Sequence, residues 1–199
     1  MTSPSSDEPR NRRGNAAGRV RREQILEQAV GLFAANGFGA TSFREIAAAC
    51  GLTPAGLAHH FPTKEALLLA LVEEREQHQS TALQFDGLDW ARWVRAVDED
   101  NRANRPLTQL YAILSAEAIE PTHPAHEYFV ARYRRLRERM AWFLSKQRGG
   151  RRVAAVDRTN AQVLIALWDG LQLQAMLDPD LDTKAAFERA ITFVQESST

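Results

Sequence analysis

Apolar positions in this chain recur at helical spacing from about residue 25 to near its end. Ile25, Leu26, Ala29, Leu32 and Phe33 follow the i, i+1, i+4, i+7, i+8 pattern that turns one stripe of a helix toward a core. Asn36-Gly37 ends that stripe, because both residues tolerate the left-handed conformation of a helix terminus. Ser42-Phe43-Arg44-Glu45 fits a capping box, with Ser42 as N-cap and Glu45 reaching back to its amide. The short helix it opens turns Phe43, Ile46 and Ala47 inward and stops at Cys50-Gly51. Thr53-Pro54 reads as an N-cap followed by proline at the first helical position, opening a second short helix to about His60. Phe61-Pro62 breaks that helix, and Thr63 caps a longer one carrying Leu67, Leu68, Leu71 and Val72. Two short helices across the turn Gly51-Leu52-Thr53, braced by longer ones, outline a helix-turn-helix.

Beyond residue 85 the punctuation thins and the helices lengthen. Asp89 can cap a helix with Trp90, Trp93, Val94 and Val97, and Asn104-Arg105-Pro106 opens one with Leu107, Leu110, Ile113 and Leu114. Pro121-Thr122-His123-Pro124 is a break. A helix over 124–147 then carries Tyr128, Phe129, Leu136, Met140, Phe143 and Leu144 and ends at Gly149-Gly150. Two more helices, 157–177 and 183–196, are divided by Asp178-Pro179-Asp180. No stretch reads as a strand, so the fold class is all-α with about nine helices. The expected organisation is a disordered basic tail at 1–18 with almost nothing to bury, a helix-turn-helix head at 19–64 and a larger helical domain at 65–199.

Composition changes this picture little. A hydrophobic share of 44% and a charged share of 25% are ordinary for a globular chain of 199 residues. Net charge is zero, but its distribution is uneven: residues 1–64 hold eight Lys/Arg against five Asp/Glu, and the remainder 17 against 20. A basic first third suggests that the two parts have different partners. One cysteine, Cys50, precludes an intrachain disulfide and fits a reducing compartment. With neither a secretory leader nor a membrane-length apolar run, the expected location is cytoplasmic and no membrane partner is implied. A nucleophile elbow, a phosphate-binding glycine loop, a metal-ligand cluster and a persuasive triad are all missing. The chain therefore reads as a non-enzyme with no catalytic residues, no metal and no cofactor.

The run from Thr41 to Leu67, TSFREIAAACGLTPAGLAHHFPTKEAL, resembles the DNA-binding signature of TetR-family repressors, and the resemblance covers roughly 19–70. Leu167-Trp168-Asp169-Gly170-Leu171-Gln172-Leu173-Gln174, followed by an Asp-Pro break, is similar to the penultimate helix of some members. A recognition helix must reach the floor of the major groove, so its outer residues should be small or polar. Thr53, Pro54, Ala55, Gly56 and Ala58 qualify, and Leu57 and Phe61 would anchor the opposite face. The resemblance assigns phosphate contacts to Thr41, Ser42, His60 and Lys64. It assigns base readout to Arg44, Thr53, Ala55, Gly56 and His59, with Pro54 beside them. Two positions depart from the family pattern: Ala58 stands where an aromatic is usual, and the usual Gly-Ala order is inverted as Ala55-Gly56. An arginine-rich tail (Arg10, Arg12, Arg13, Arg19, Arg21, Arg22) could take over from the absent aromatic along phosphates or in the minor groove.

The same resemblance makes 65–199 a ligand-binding and dimerisation domain, and implies a homodimer through the last two helices, a double-stranded palindromic operator and release by a small-molecule effector. Trp93, Tyr111, Trp142 and Trp168 are the expected ligand-lining residues among aromatics that otherwise read as core. The alternative is a helical small-molecule binding protein whose DNA head has weakened, a reading prompted by Ala58. Adjacent His59 and His60 diverge by about 100° on a helix and lack further ligands, so they fit DNA contact or structure better than metal. The run Arg132, Arg134, Arg135, Arg137, Arg139 reads as a solvated helix face, with an anionic-ligand site as the lesser option.

Overall fold

The computed structural model describes residues 8–82 and 90–196; the side chains at 8–16, 75, 77–82, 90, 91 and 93 fall outside that description. Nine helices occur among the described residues: α1 (Glu8–Ala40), α2 (Phe43–Ala49), α3 (Pro54–His60), α4 (Lys64–Ala82), α5 (Trp90–Ala103), α6 (Arg105–Glu117), α7 (His126–Gln147), α8 (Ala155–Leu177) and α9 (Thr183–Glu196). No strand occurs among them. The expected cap Asp89 and the aromatic Phe85 lie outside the described residues.

Helix α1 starts at Glu8, ahead of the point where its apolar stripe begins, and breaks at Gly37 (φ 79°, ψ 167°). The apolar repeat marks only the part of a helix that has something to bury. The break is where Asn36-Gly37 predicts it, and the following turn keeps helical geometry to Ala40.

Two compact units divide between Leu71 and Val72, seven residues beyond the boundary read from the sequence. The first two turns of α4 belong to the first unit, where Leu67, Leu68 and Leu71 are buried along with Ile25, Leu26, Ala29 and Phe33 of α1. Ile46 and Ala47 of α2, Leu57 of α3 and Phe61 complete this small core.

In the second unit α8 is the central element, packing against α6, α7 and α9, while α5 packs on α9. Val94 and Val97, Met140, Phe143 and Leu144, Leu164 and Leu171, and Phe187, Ile191 and Val194 form its core. Trp168 stands edge-on to Phe187 at 4.7 Å. Asp157, whose side chain is 2% exposed, takes two bonds from the Arg148 guanidinium (2.9 and 2.7 Å) and one from the Ala154 amide (2.7 Å). It therefore caps α8 while tying that helix's start to the end of α7.

Burial pushes the Asp157 carboxyl up, but the Arg148 guanidinium and the Ala154 amide outweigh it and hold the group below the ordinary carboxylate range. A depressed folded-state pKa stabilises the fold above the unfolded value near 3.9, and that contribution fades as pH falls toward the folded value. Asp157→Ala should cost about 3 kcal/mol in urea unfolding at neutral pH. The gap between variant and parent should narrow as pH falls below about 4, where the unfolded carboxyl takes up a proton while the folded one is still ionised.

Candidate nucleic-acid interface

The first unit is built from local capping chemistry. The Ser42 hydroxyl accepts from the Glu45 amide (3.2 Å), and the Glu45 carboxylate accepts from the Ser42 amide (2.7 Å), completing the box. That pairing holds the Glu45 carboxyl below its usual value. Gly51, at φ 64°, reverses the chain after α2, a conformation that costs a residue with a Cβ. Thr53 then accepts from the Gly56 amide (3.0 Å) with Pro54 at the helix start, and Thr63 accepts from Ala66 (3.1 Å) to open α4.

Leu57 and Phe61 are buried, so α3 turns Thr53, Pro54, Ala55, Ala58 and His59 outward, all exposed, with Gly56 and His60 half-buried. Ser42 and Arg44 of the α2 start are exposed too. The hydroxyls of Ser42 and Thr53 accept within their caps, but each keeps an O–H to donate outward. A methyl group at Gly56 would meet the Thr53 hydroxyl at 3.4 Å, ordinary contact, so nothing inside the unit requires glycine there.

Two of the expected phosphate contacts are engaged inside the protein. Thr41 is 1% exposed and donates its hydroxyl to the Gly37 carbonyl at 2.8 Å, which removes it from any surface role. Lys64 donates to the carbonyls of Phe38 and Thr41, both at 2.8 Å, and its ammonium lies 4.1 Å from the Phe38 ring centre. Its position in the first turn of α4, unfavourable for that helix's dipole, is thus explained by the carbonyls left open around the Gly37 break. At most one of its three N–H groups is left for a phosphate.

Three of the tail arginines also have partners within this unit. Arg21 donates to the Cys50 carbonyl and to Gln24 (3.1 Å), Arg22 lies 4.7 Å over the Phe61 ring, and Arg19 pairs with Glu23 at 3.8 Å. Arg10, Arg12 and Arg13 have side chains outside the described residues. Burial raises the Cys50 thiol above its usual pKa despite nearby Arg21, which argues against a reactive thiolate. His59 and His60 meet edge-on at 5.7 Å, and no metal-holding group of three or more His, Cys, Asp or Glu occurs among the described residues.

In the second unit, three of the four aromatics expected to line a ligand site have described side chains, and those three stand in different surroundings. The Trp93 side chain lies outside the described residues. Trp142 is 43% exposed, with the Lys146 ammonium 5.5 Å from its ring. Tyr111 is buried, its hydroxyl 2.7 Å from the Val72 carbonyl and 2.9 Å from the Tyr128 hydroxyl, which itself lies 3.0 Å from the same carbonyl. Burial pushes Tyr128 up to about 12. Trp168 lines a cavity of about 270 Å³, where Leu171, Met176 and Leu181 are apolar and Arg102 and Arg105 are charged. Sequence reading missed that cavity because it is assembled from the ends of α5, α6, α8 and α9, each contributing residues with no joint spacing.

Lys64→Met should therefore destabilise the protein by about 2 kcal/mol in denaturant unfolding, since two charge-assisted bonds to carbonyls disappear. A lysine serving only phosphates would leave unfolding unchanged.

Residues 25–71 match the family model described as "Bacterial regulatory proteins, tetR family". Among curated proteins, the chain is 32% identical over 105 residues to the HTH-type transcriptional repressor KstR2 of Mycolicibacterium smegmatis, covering 52% of this chain and 45% of that protein. The matched stretches span less than half the length of the first curated relatives. A TetR-family regulator from Agrobacterium tumefaciens shares the fold at TM-score 0.70 and 21% identity, over 87% of this chain and 96% of that one. SmeT, the repressor of the Stenotrophomonas maltophilia efflux pump SmeDEF, does so at TM-score 0.66 and 24% identity, over 88% and 89%. Residues 25–71 thus carry the DNA-binding signature of the TetR family of bacterial regulatory proteins, and the fold across nearly nine-tenths of the chain is shared with solved regulators of that family.

Proposed function

We propose that this chain is a homodimeric transcriptional repressor that holds a palindromic operator and releases it when a small molecule binds the second unit. The observation that carries this reading is the outward face of α3. Buried Leu57 and Phe61 fix it, and its outer side chains are small enough for the helix backbone to enter a major groove. Arg44 and His59 are the exposed side chains long enough to reach base edges, and Ser42, Thr53 and His60 supply donors for phosphates. Gly56 fits the same reading, since no internal contact excludes a methyl group there and close approach to DNA would. KstR2 and SmeT are both named as repressors.

Dimerisation is assigned to the outer faces of α8 and α9, where Val156, Val163, Leu173 and Leu177 of α8 and Phe193 of α9 are exposed. Spread along most of α8, they make an apolar stripe suited to a second copy. A two-fold pair would present two α3 helices about 34–36 Å apart. The effector reading rests on the cavity beside Trp168, and α4 is the natural lever. Its first turn is held by Lys64 in the first unit, and in the second unit Val72 is gripped by Tyr111 and Tyr128. A ligand can release DNA only if it binds the DNA-free state more tightly.

The alternative, a ligand-binding protein with a weakened head, is favoured by Ala58, which offers no polar atom at an exposed position of α3. Selection of bound sequences from random duplex DNA decides between them. The repressor should enrich a palindrome with half-sites about one helical turn apart, and Arg44→Ala should relax it at one base position per half-site. Enrichment of nothing at low salt would favour the alternative.

Two further outcomes are expected. Leu173→Glu with Phe193→Glu should give a monomer in sedimentation that no longer binds the operator. Deleting residues 1–18 should weaken operator binding and reduce the log–log salt slope by about 0.9 for each phosphate that Arg10, Arg12 and Arg13 neutralise in the full chain.

A further inference from the structure

The arginine run of α7 is divided by the fold into two sets. Arg132 lies over the rings of Tyr111 (5.3 Å) and Tyr133 (5.7 Å), and Arg135 forks onto the Glu76 carboxylate at 2.6 and 2.7 Å. Those two are structural. Arg134 and Arg137 instead line a groove of about 310 Å³ between α7 and α8, joined there by Arg158 and Gln162 of α8 and floored by Ala141 and Val153.

We infer that this groove binds a small phosphate-bearing molecule carrying at least two negative charges, a site separate from the operator-binding face and from the cavity beside Trp168. Among the described residues, Arg134, Arg137 and Arg158 make no ion pair and no side-chain hydrogen bond, Arg158 acts on the neighbouring Asp157 carboxylate only through space, and Glu138, the one acid of the lining, pairs with none of them. The lining thus carries three positive charges against one negative, in a chain whose 25 basic and 25 acidic residues balance. Exposed Arg151 and Arg152 lie on the loop just before Val153, again without an acidic partner among the described residues.

A solvated helix face would present its charges along one helix and over a convex surface. Here guanidinium groups come from two helices around a concavity with an apolar floor. The frame is also held in place. Arg148 and Asp157 fasten the end of α7 to the start of α8, directly beside Arg158, and the Ser145 hydroxyl holds the loop by the Arg152 carbonyl at 2.8 Å. Arginines held apart on fixed elements repel one another in the empty site and gain most when several phosphate oxygens enter together. Gln162 adds an amide for a further oxygen. It lies about 100° around α8 from exposed Val163, so the groove flanks the stripe assigned to dimerisation instead of lying under it.

The test is titration calorimetry of the full-length protein with inorganic pyrophosphate and with ADP, at low and physiological ionic strength. Saturable binding of one equivalent per chain is expected, tighter than for sulfate. Arg137→Gln or Arg158→Gln should weaken it about tenfold. Arg158→Lys, which keeps the charge and loses the fork, should fall between, and Arg95→Gln on α5 should change nothing. Absence of saturable binding, or an equal loss in Arg95→Gln, overturns the proposal. So does loss of non-specific duplex DNA affinity in Arg137→Gln and Arg158→Gln when pyrophosphate does not bind, since the groove would then be a nucleic-acid contact. Thermal unfolding of each variant alongside separates weakened binding from damaged structure.

Discussion

The first unit hinges on an ammonium group among carbonyls. Where α1 breaks at Gly37, the chain leaves helical geometry and exposes carbonyl oxygens that no helix amide reaches. Lys64 answers two of them, at Phe38 and Thr41, and Thr41 answers a third at Gly37 with its hydroxyl. These bonds join the end of α1, the start of α2 and the start of α4 at one place. The orientation of α3 follows from them, because Leu57 and Phe61 are seated in the core those helices enclose. The positive charge that the sequence offered for a phosphate thus holds the first unit together.

What could be read from the chain and what could not divides by the range of the interactions. Ser42 with Glu45, Thr53 with Pro54, and Thr63 ahead of α4 are contacts between residues no more than three apart, and each appears in the structure as the spacing implies. The opening of α6 was legible from Pro106 in its first turn, although the Asn104 side chain makes no cap bond and turns back to Asp100. The internal bonds of Lys64 and Thr41 were not legible, because the carbonyls that engage them depend on how a helix break is closed, for Lys64 one 26 residues earlier. Arg21 and Arg22 looked like tail residues until α1 carried them alongside Cys50 and Phe61. Of the candidate DNA face, the outward and inward sets on α3 were legible because a seven-residue helix has one buried side. The ligand-lining aromatics were not, since size and apolarity suit a core and a pocket equally.

Helix α8 shows how one element serves several purposes by face. One side is buried in the core through Leu164 and Leu171, and another leaves Val163 and Leu173 uncovered. A third meets α7, where Asp169 accepts from the Tyr133 hydroxyl at 2.9 Å. Burial pushes the Asp169 carboxyl up, and burial together with the facing Asp169 pushes Tyr133 up to about 12, so the phenol keeps its proton and donates it across this half-buried contact. Because α8 carries these faces at once, a change in its pitch would be felt on each of them.

The grip on α4 at Val72 has a consequence in proton counting. Three oxygen atoms, one carbonyl and two tyrosine hydroxyls, lie within bonding distance of one another, yet only two hydrogens are available among them. At any instant one of the three contacts is empty of hydrogen, and the pair can exchange roles without moving a heavy atom. The anchor is therefore degenerate: either tyrosine alone can hold the carbonyl while the other donates to its neighbour. Such a joint tolerates the loss of one phenol, because the other still reaches the Val72 carbonyl.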